Sequence, residues 1–225
     1  MSNLYIVATP IGNMQDITFR AVETLKSVDM ILCEDTRVTK NLLNKYEISK
    51  PTMSYHAQSK ISKLDKILEL LEDGKNLALV SDAGTPGISD PGSHLIKAVL
   101  ERFPDEVRVI PIPGATALIS SLSASGLDTH EFTFLGFLPH KKGRETLFKE
   151  MSTAKRTVVF YESPHRIMKT LESLVKFVPD KKVCVARELT KIYEQFVTNT
   201  PEEVLKYFKE NEDKVRGEFV VLVGN

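Results

Sequence analysis

Four short, almost unbroken apolar runs punctuate the first half of this 225-residue chain: LYIVA (4–8), MILC (30–33), LALVS (77–81) and VRVIPI (107–112). A strand with one wet face alternates apolar and polar residues. A run without alternation fits a strand covered on both faces, as in a parallel sheet flanked by helices. The intervening segments supply those helices. From Ser62 to Asp73, Leu64, Ile67, Leu68 and Leu71 form one stripe that Gly74 terminates, and from Ser93 to Phe103 the residues expected to point inward are Leu95, Ile96, Val99 and Leu100. Strand and helix in alternation predict a parallel sheet with right-handed crossovers.

The pattern restarts in the second half. FTFLGF (132–137), TVVFY (157–161), KVCVA (182–186) and EFVVLV (218–223) read as strands, with helices near 144–152, 165–177 and 201–210. The last helix opens on a capping box, with Thr200 as N-cap, Pro201 in the first turn and Glu203 three residues after the cap. Between the halves, PIPGATAL (111–118) is punctuated by Pro and Gly and runs into the small-residue helix ATALISSLSAS. The expectation is two α/β domains, residues 1–114 and 115–225, with a cofactor cleft between them.

No apolar run is long enough to cross a bilayer, and the start MSNLYIVATP lacks the features of a signal peptide, so a cytoplasmic protein is expected. The two cysteines, Cys33 and Cys184, lie in apolar runs without metal-ligand spacing and read as buried thiols; no metal is expected. The net charge of zero conceals an asymmetry. Residues 1–138 carry 13 Lys+Arg against 17 Asp+Glu, whereas residues 139–191 carry 13 against 6. A run such as PHKKGRE (139–145) is either a solvated loop or a phosphate-facing patch, because a polyanion responds to the local field rather than to the total charge.

Three loops stand where α/β sheets collect ligands, after the carboxyl ends of strands: ATPIGN (8–13), SDAGTPGISDPG (81–92) and IPGAT (112–116). Each combines Gly, which lets backbone approach a ligand, with Pro, which fixes the loop beforehand. Each also fits a plain tight βα turn. Asp82 adds a carboxylate that could accept ribose hydroxyls or an ammonium group, or cap its own turn. Neither GxxxxGK[ST] nor GxGxxG occurs, which removes the P-loop and the dinucleotide fingerprint and leaves some other nucleoside-like ligand.

The segments ATPIGNMQDIT, CEDTR, SDAGTPGISDPG, PIPGATALISSLSASGL, FLGFLP, FYESPHRI, ARELTKIYE and GEFVVLV resemble, in order, the motif series of the ribosomal RNA small subunit methyltransferase I family, within the tetrapyrrole methylase superfamily. The resemblance runs from residue 4 to about 223. It implies a class III methyltransferase fold, S-adenosylmethionine as cofactor, a homodimer, and methylation of the ribose 2′-hydroxyl of a cytidine in the decoding region of 16S ribosomal RNA. By position it assigns cofactor contacts to Pro10, Ile11, Gly12, Asp82, Ala83, Gly84, Thr85, Thr116 and Ala117, with Glu162, Arg187 and Glu218 closing from the second domain. A ribose hydroxyl is a weak acid, so a base or cation beside it is expected to assist. Catalytic candidates by chemistry are Glu162, His165, Arg166, Arg187 and Glu188, with Glu34 a further carboxylate. Asp35, Arg37, His56, Lys141, Lys142, Arg144 and Lys191 are candidates for the RNA side. Glu162 with Arg166 at i, i+4 and Glu188 with Lys191 at i, i+3 fit simple helix pairs equally well. In YESPHR, Pro164 is expected to open a helix whose amide end, with His165 and Arg166, faces a phosphate.

In two places the chain departs from the family pattern. HAQSK (56–60) stands where the family usually reads His-Glu-His-Asn-Glu, and the chain stops at Asn225 where many members continue into a short helical extension. Two other functions therefore stay open: a tetrapyrrole or other small-molecule methylase of the superfamily, and a weakly active cofactor-binding RNA-associated protein.

Overall fold

The apolar runs of the first half are strands of one all-parallel sheet. The computed structural model describes residues 1–56 and 61–224, so of HAQSK only His56 lies within the described residues. In chain order the elements are β1 (Ser2–Val7), α1 (Phe19–Ser27), β2 (Met30–Cys33), α2 (Thr36–Lys45), β3 (Thr52–Ser54), α3 (Ile61–Glu72), β4 (Leu77–Leu79), α4 (Gly92–Arg102), β5 (Val107–Ile112), α5 (Ala117–Ser125), β6 (Phe132–Phe137), α6 (Arg144–Thr153), β7 (Thr157–Glu162), α7 (Ile167–Phe177), β8 (Lys182–Arg187), β9 (Gln195–Asn199), α8 (Pro201–Glu210) and β10 (Phe219–Gly224). They form two compact units, Met1–Thr116 and Ala117–Asn225. Among the described residues no helix is long and apolar enough to cross a membrane.

The first unit has strand order β3-β2-β4-β1-β5, every pair parallel. One face packs Leu4, Ile6, Leu32, Leu77 and Leu79 with Ile67 and Leu71 of α3 and Leu95 and Val99 of α4. The other packs Val7, Ile31, Cys33, Ala78 and Val80 with Ala21 and Leu25 of α1 and Leu43 of α2. Both faces being covered is the reason that the strands carry no polar alternation. Leu100 differs from expectation. At 50% exposure it lies outside the core, because the buried stripe runs through Leu95 and Val99 and the next residue is turned 100° away from it.

In the second unit the order is β6-β7-β10-β8-β9, and only β6–β7 is parallel; β10 runs antiparallel between β7 and β8, and β8–β9 is antiparallel. The expected parallel pattern thus does not repeat. Helices α6, α7 and α8 cover one face, burying Phe148, Phe160, Leu171, Leu174, Phe208 and Val221, while α5 packs on β10 and β8. β10 therefore reads as an unbroken apolar run for the same reason as a parallel strand. The capping box of α8 is half formed. Thr200 Oγ1 accepts the Glu203 amide (3.4 Å), but the Thr200 amide donates to Asn199 Oδ1 (2.9 Å) instead of to Glu203.

The exposure of Leu100 is checked by a matched pair of substitutions. Leu95→Ala should lower the unfolding free energy by about 2–5 kcal/mol, and Leu100→Ala by less than about 1 kcal/mol, as read from urea midpoints.

Candidate active site

β4, β1 and β5 lie side by side, so their loops meet at one edge of the first unit's sheet. Thr9 and Gly84 exchange both backbone hydrogen bonds, at 2.9 and 3.1 Å. The buried Thr9 hydroxyl donates to the Ser81 carbonyl (3.1 Å), and Ser81 Oγ donates to the Gly84 carbonyl (3.2 Å). The third loop is tied in by Thr85 Oγ1 donating to the Ala115 carbonyl (3.2 Å) and by the Ala8 amide donating to the Ile112 carbonyl (3.3 Å). The loops thus form one built cluster. Gly84 sits at φ +84°, and a Cβ there would stand 3.3 Å from Ile11 Cγ2; a Cβ at Gly114 would stand 2.8 Å from that of Ala8. Side chains are excluded where the three loops close on one another.

Ile11 and Gly84 are buried in this cluster, Pro10 and Thr85 half-buried, and Gly12, Asp82 and Ala83 exposed at its rim. Thr116 is the last residue of the first unit, and Ala117 opens α5 in the second. Asp90 shapes the far end of the long loop, its Oδ1 accepting the amides of Gly87 (2.8 Å) and Gly92 (2.7 Å). The site reading of the sequence missed Asp90, although an Asp before Pro-Gly in a loop signals such a turn.

The rim is acidic. Asp82 Oδ1 accepts the Asp35 amide (3.1 Å), which joins the loop after β2 to the cluster. Asp35 is the N-cap of α2, accepting the Arg37 amide, and it also takes the Arg37 guanidinium at 2.6 Å; that arginine holds the Asp35 carboxyl down at about 2. The exposed Arg37 is therefore paired with a neighbour in sequence. Glu34 goes the other way: burial, and then the charges of Asp82 and Asp90, push its carboxyl above the ordinary glutamate value.

In the second unit, Glu162 ends β7 with its side chain fully buried. Its Oε2 accepts Arg144 NH2 (2.9 Å) and Thr170 Oγ1 (2.7 Å), its Oε1 accepts the Ser163 amide (2.9 Å), and Arg166 Nε stands 2.7 Å from Oε1. Arg144 NH2 also donates to Thr170 Oγ1 (2.6 Å). Two expectations are corrected here. Arg144 turns inward rather than toward a substrate, and Glu162 with Arg166 is not a helix pair. A carboxylate taken fully out of water needs cations at hand, and Arg144 and Arg166 supply them. Nor does Pro164 open a helix: residues 164–166 form a turn, and α7 starts at Ile167, with the Ser163 carbonyl accepting the amides of Arg166 and Ile167. His165 is exposed on that turn. Thr170, one turn into α7, had no signal in the sequence beyond its spacing from Arg166.

Arg187 ends β8, buried, with NH2 donating to the Arg216 carbonyl (3.3 Å) and Nε without a hydrogen-bond partner among the described residues. Lys191 Nζ donates to Glu188 Oε1 (2.8 Å) and to Glu218 Oε2 (2.9 Å), and Glu188 Oε1 also accepts the Glu218 amide (3.0 Å). Lys191 is thus held by two carboxylates rather than offered to a substrate. Burial alone would raise the Glu188 carboxyl, but the Lys191 ammonium and the Glu218 amide hold it below its ordinary value; burial alone would lower Lys191, but Glu188 and Glu218 raise it. Lys141 and Lys142 lie exposed in the loop before α6, and His56 is exposed after β3. Cys33 and Cys184 are buried and free, and no cluster of metal-ligating side chains occurs among the described residues.

The fold of an all-parallel unit followed by a unit with a mixed sheet is shared with solved corrin and porphyrin methyltransferases. The chain is similar to the cobalamin-biosynthetic enzyme cobalt precorrin-4 methyltransferase, with TM-score 0.68 and 19% identity over 99% of this chain and 94% of that one. It is likewise similar to uroporphyrin-III C-methyltransferase from Thermus thermophilus complexed with S-adenyl homocysteine, with TM-score 0.66 and 19% identity over 99% and 97%. The model of the Tetrapyrrole (Corrin/Porphyrin) Methylases matches residues 3–205, and the chain belongs to that family. Among curated relatives it is 48% identical to Ribosomal RNA small subunit methyltransferase I of Bacillus subtilis over 99% of this chain and 75% of that protein. It is 43% identical to the protein of that name from Thermotoga maritima, over 99% and 98%.

Glu162→Ala should lower the unfolding free energy by about 3–5 kcal/mol, because two arginines are left buried without their counter-ion. The Glu188–Lys191 pair predicts a pH dependence. Glu188, held low, contributes stability above its ordinary value that is lost as pH falls through the lowered one; Lys191, held high, contributes below its ordinary value and loses this as pH rises through the raised one. Lys191→Met should therefore lower stability by about 1 kcal/mol at neutral pH. It should also make the decline below about pH 4.3 shallower than in the native chain, as read by thermal midpoints across pH.

Proposed function

We propose that the chain is an S-adenosylmethionine-dependent methyltransferase of small-subunit ribosomal RNA that acts on the ribose 2′-hydroxyl of a cytidine in the decoding region. The observation that carries this reading is the stitched loop cluster with its carboxylate rim. S-adenosylmethionine is a nucleoside without phosphate that carries a sulfonium and an ammonium group. Rim carboxylates Glu34, Asp35 and Asp82 favour such a cation and would repel a nucleotide phosphate. The close packing of Gly84 on Ile11 and of Gly114 on Ala8 fixes the loops that would carry the cofactor. The residues that would hold it are Pro10, Ile11, Gly12, Asp82, Ala83, Gly84, Thr85, Thr116 and Ala117. Family membership and the names of the relatives that match 99% of this chain support both cofactor and substrate class.

When bound, the cofactor would supply an electrophilic methyl group on sulfur for transfer to the 2′-oxygen. The residues of the chain position the hydroxyl and remove its proton. Of the candidate carboxylates, Glu162 is enclosed by arginines and Glu188 is held by Lys191. Glu34, made more basic by burial and by Asp82 and Asp90, is the better proton acceptor, and it stands beside the cofactor loops. The working form we propose is a cytoplasmic homodimer.

The test is transfer of radiolabelled methyl from S-adenosylmethionine to small ribosomal subunits lacking native methylation, with the labelled nucleoside mapped. Label on the 2′-oxygen of a decoding-region cytidine is expected; label on a base, or none, overturns the assignment. Asp82→Ala should weaken cofactor affinity by about tenfold or more in calorimetry while leaving the thermal midpoint in place, since a lost charge-assisted contact is worth about 1.5–3 kcal/mol.

A further inference from the structure

β6 is an edge strand of the second unit's sheet. It pairs in step with β7 as far as Phe134, which stands opposite Val159; beyond that the register shifts, and Phe137 stands opposite Tyr161. One extra residue is inserted in β6, a β-bulge, and Gly136 within it takes φ +62°. The two-residue period of a strand gives the consequence. Leu135 packs on the core under α6, α7 and α8, and without the bulge Phe137 would point the same way. The bulge turns Phe137 to the opposite face. There its ring meets Tyr161 edge-on with centroids 5.5 Å apart, and Tyr161 meets Phe134 at 5.0 Å. Phe137 is 57% exposed, a large ring held out of a core that its position in the strand would otherwise have given it.

From Phe137 the chain passes through buried Leu138 into the exposed residues His140, Lys141 and Lys142. The root of this basic loop is fixed. The Leu138 carbonyl accepts Arg166 NH1 (2.9 Å), the Pro139 carbonyl accepts Arg144 NH1 (3.2 Å), and both guanidiniums are paired with Glu162. Lys141 is four residues from Phe137, within about 14 Å along the chain, near enough for the phosphates that flank a base on the ring.

We propose that Phe137, backed by Tyr161 and Phe134, is a platform on which an unpaired base of the substrate RNA stacks, with Lys141 and Lys142 holding the adjoining phosphates. This rests on the reading of the chain as an RNA methyltransferase. An exposed ring near exposed cations is a combination that binds single-stranded nucleic acid, since every base has a face to stack and every linkage a charge to neutralise. A second copy of the chain is a poorer occupant, because two-fold docking on this patch would bring Lys141 and Lys142 of both copies together.

The experiment measures anisotropy of a labelled single-stranded RNA of about 12 nucleotides, within the usual site sizes, over a range of salt concentrations. Phe137→Ala is expected to weaken RNA binding roughly tenfold without changing the salt slope, and Phe137→Trp to restore it. Lys141→Ala with Lys142→Ala should flatten the slope of log affinity against log salt by about 1.4. Affinity for S-adenosylhomocysteine should be unchanged in all three, which also reports folding. Native-like RNA binding by Phe137→Ala overturns the platform. So does a change of oligomeric state in that variant by light scattering, which would make the patch an interface between copies. If the native chain binds S-adenosylhomocysteine but neither binds nor methylates RNA, the parent reading fails and the platform with it. If the native chain methylates RNA and Phe137→Ala does so equally well, the platform alone fails.

Discussion

The reciprocal hydrogen bonds between Thr9 and Gly84 are the constraint on which the chemistry of the first unit depends. β1 and β4 are neighbours, but pairing as parallel strands ends before these residues, and two loops leaving a sheet edge normally diverge. A backbone group that leaves its ladder needs another partner if it is buried. Here the loops satisfy each other, the Thr9 hydroxyl donates to the Ser81 carbonyl, and the Ser81 hydroxyl gives the Gly84 carbonyl a second donor. The pairing is possible because Gly84 adopts a left-handed backbone and carries no Cβ against Ile11. A loop held this way needs little ordering when a ligand arrives, so less of the binding energy is lost to fixing it.

The same locality explains what the sequence made legible. Apolar runs of four to six residues declare strands, and β2, β5 and β6 fall on the residues expected, β2 covered on both faces and β5 and β6 at sheet edges. β3 and β9 escaped because their apolar signal is weak: TMS is only three residues long, and QFVTN is half-buried with polar ends. The direction of β10 was hidden for the opposite reason. With α5 on one face and α6, α7 and α8 on the other, an antiparallel strand carries the same apolar run as a parallel one. The three Gly- and Pro-containing loops were legible as a group because Gly, Pro and Asp act through the backbone of their own neighbourhood, and the structure stitches them together.

Charged side chains were legible in type but not in partner. Glu162 and Arg166 are four residues apart, which suggested a surface pair on a helix. In the structure one ends a strand and the other precedes a helix, and the carboxylate needs a second arginine from 18 residues upstream and a threonine from eight downstream. Nothing in the spacing of those four residues announces a buried cluster, because their meeting depends on the stacking of β7, α6 and α7. Lys191 is the same case on a smaller scale, its second carboxylate coming from Glu218 just before β10. The basic stretch 139–191 thus contains cations of two kinds, those taken inward as counter-ions and those, such as Lys141 and Lys142, left at the surface.

A chain with 30 cationic and 30 anionic residues has no net field to offer either ligand, yet the proposed reaction needs two fields of opposite sign. At physiological ionic strength a surface charge is felt over about 8 Å. Each ligand therefore responds to the residues around it rather than to the total. In the proposed reading Glu34, Asp35 and Asp82 at the carboxyl edge of the parallel sheet attract a sulfonium compound, and the proton affinity of Glu34 is raised by its burial first and then by the charges of Asp82 and Asp90. Burying Glu162 under Arg144 and Arg166 has the complementary effect in the second unit. It removes the carboxylate from the surface at the root of the basic loop, where Lys141 and Lys142 are exposed.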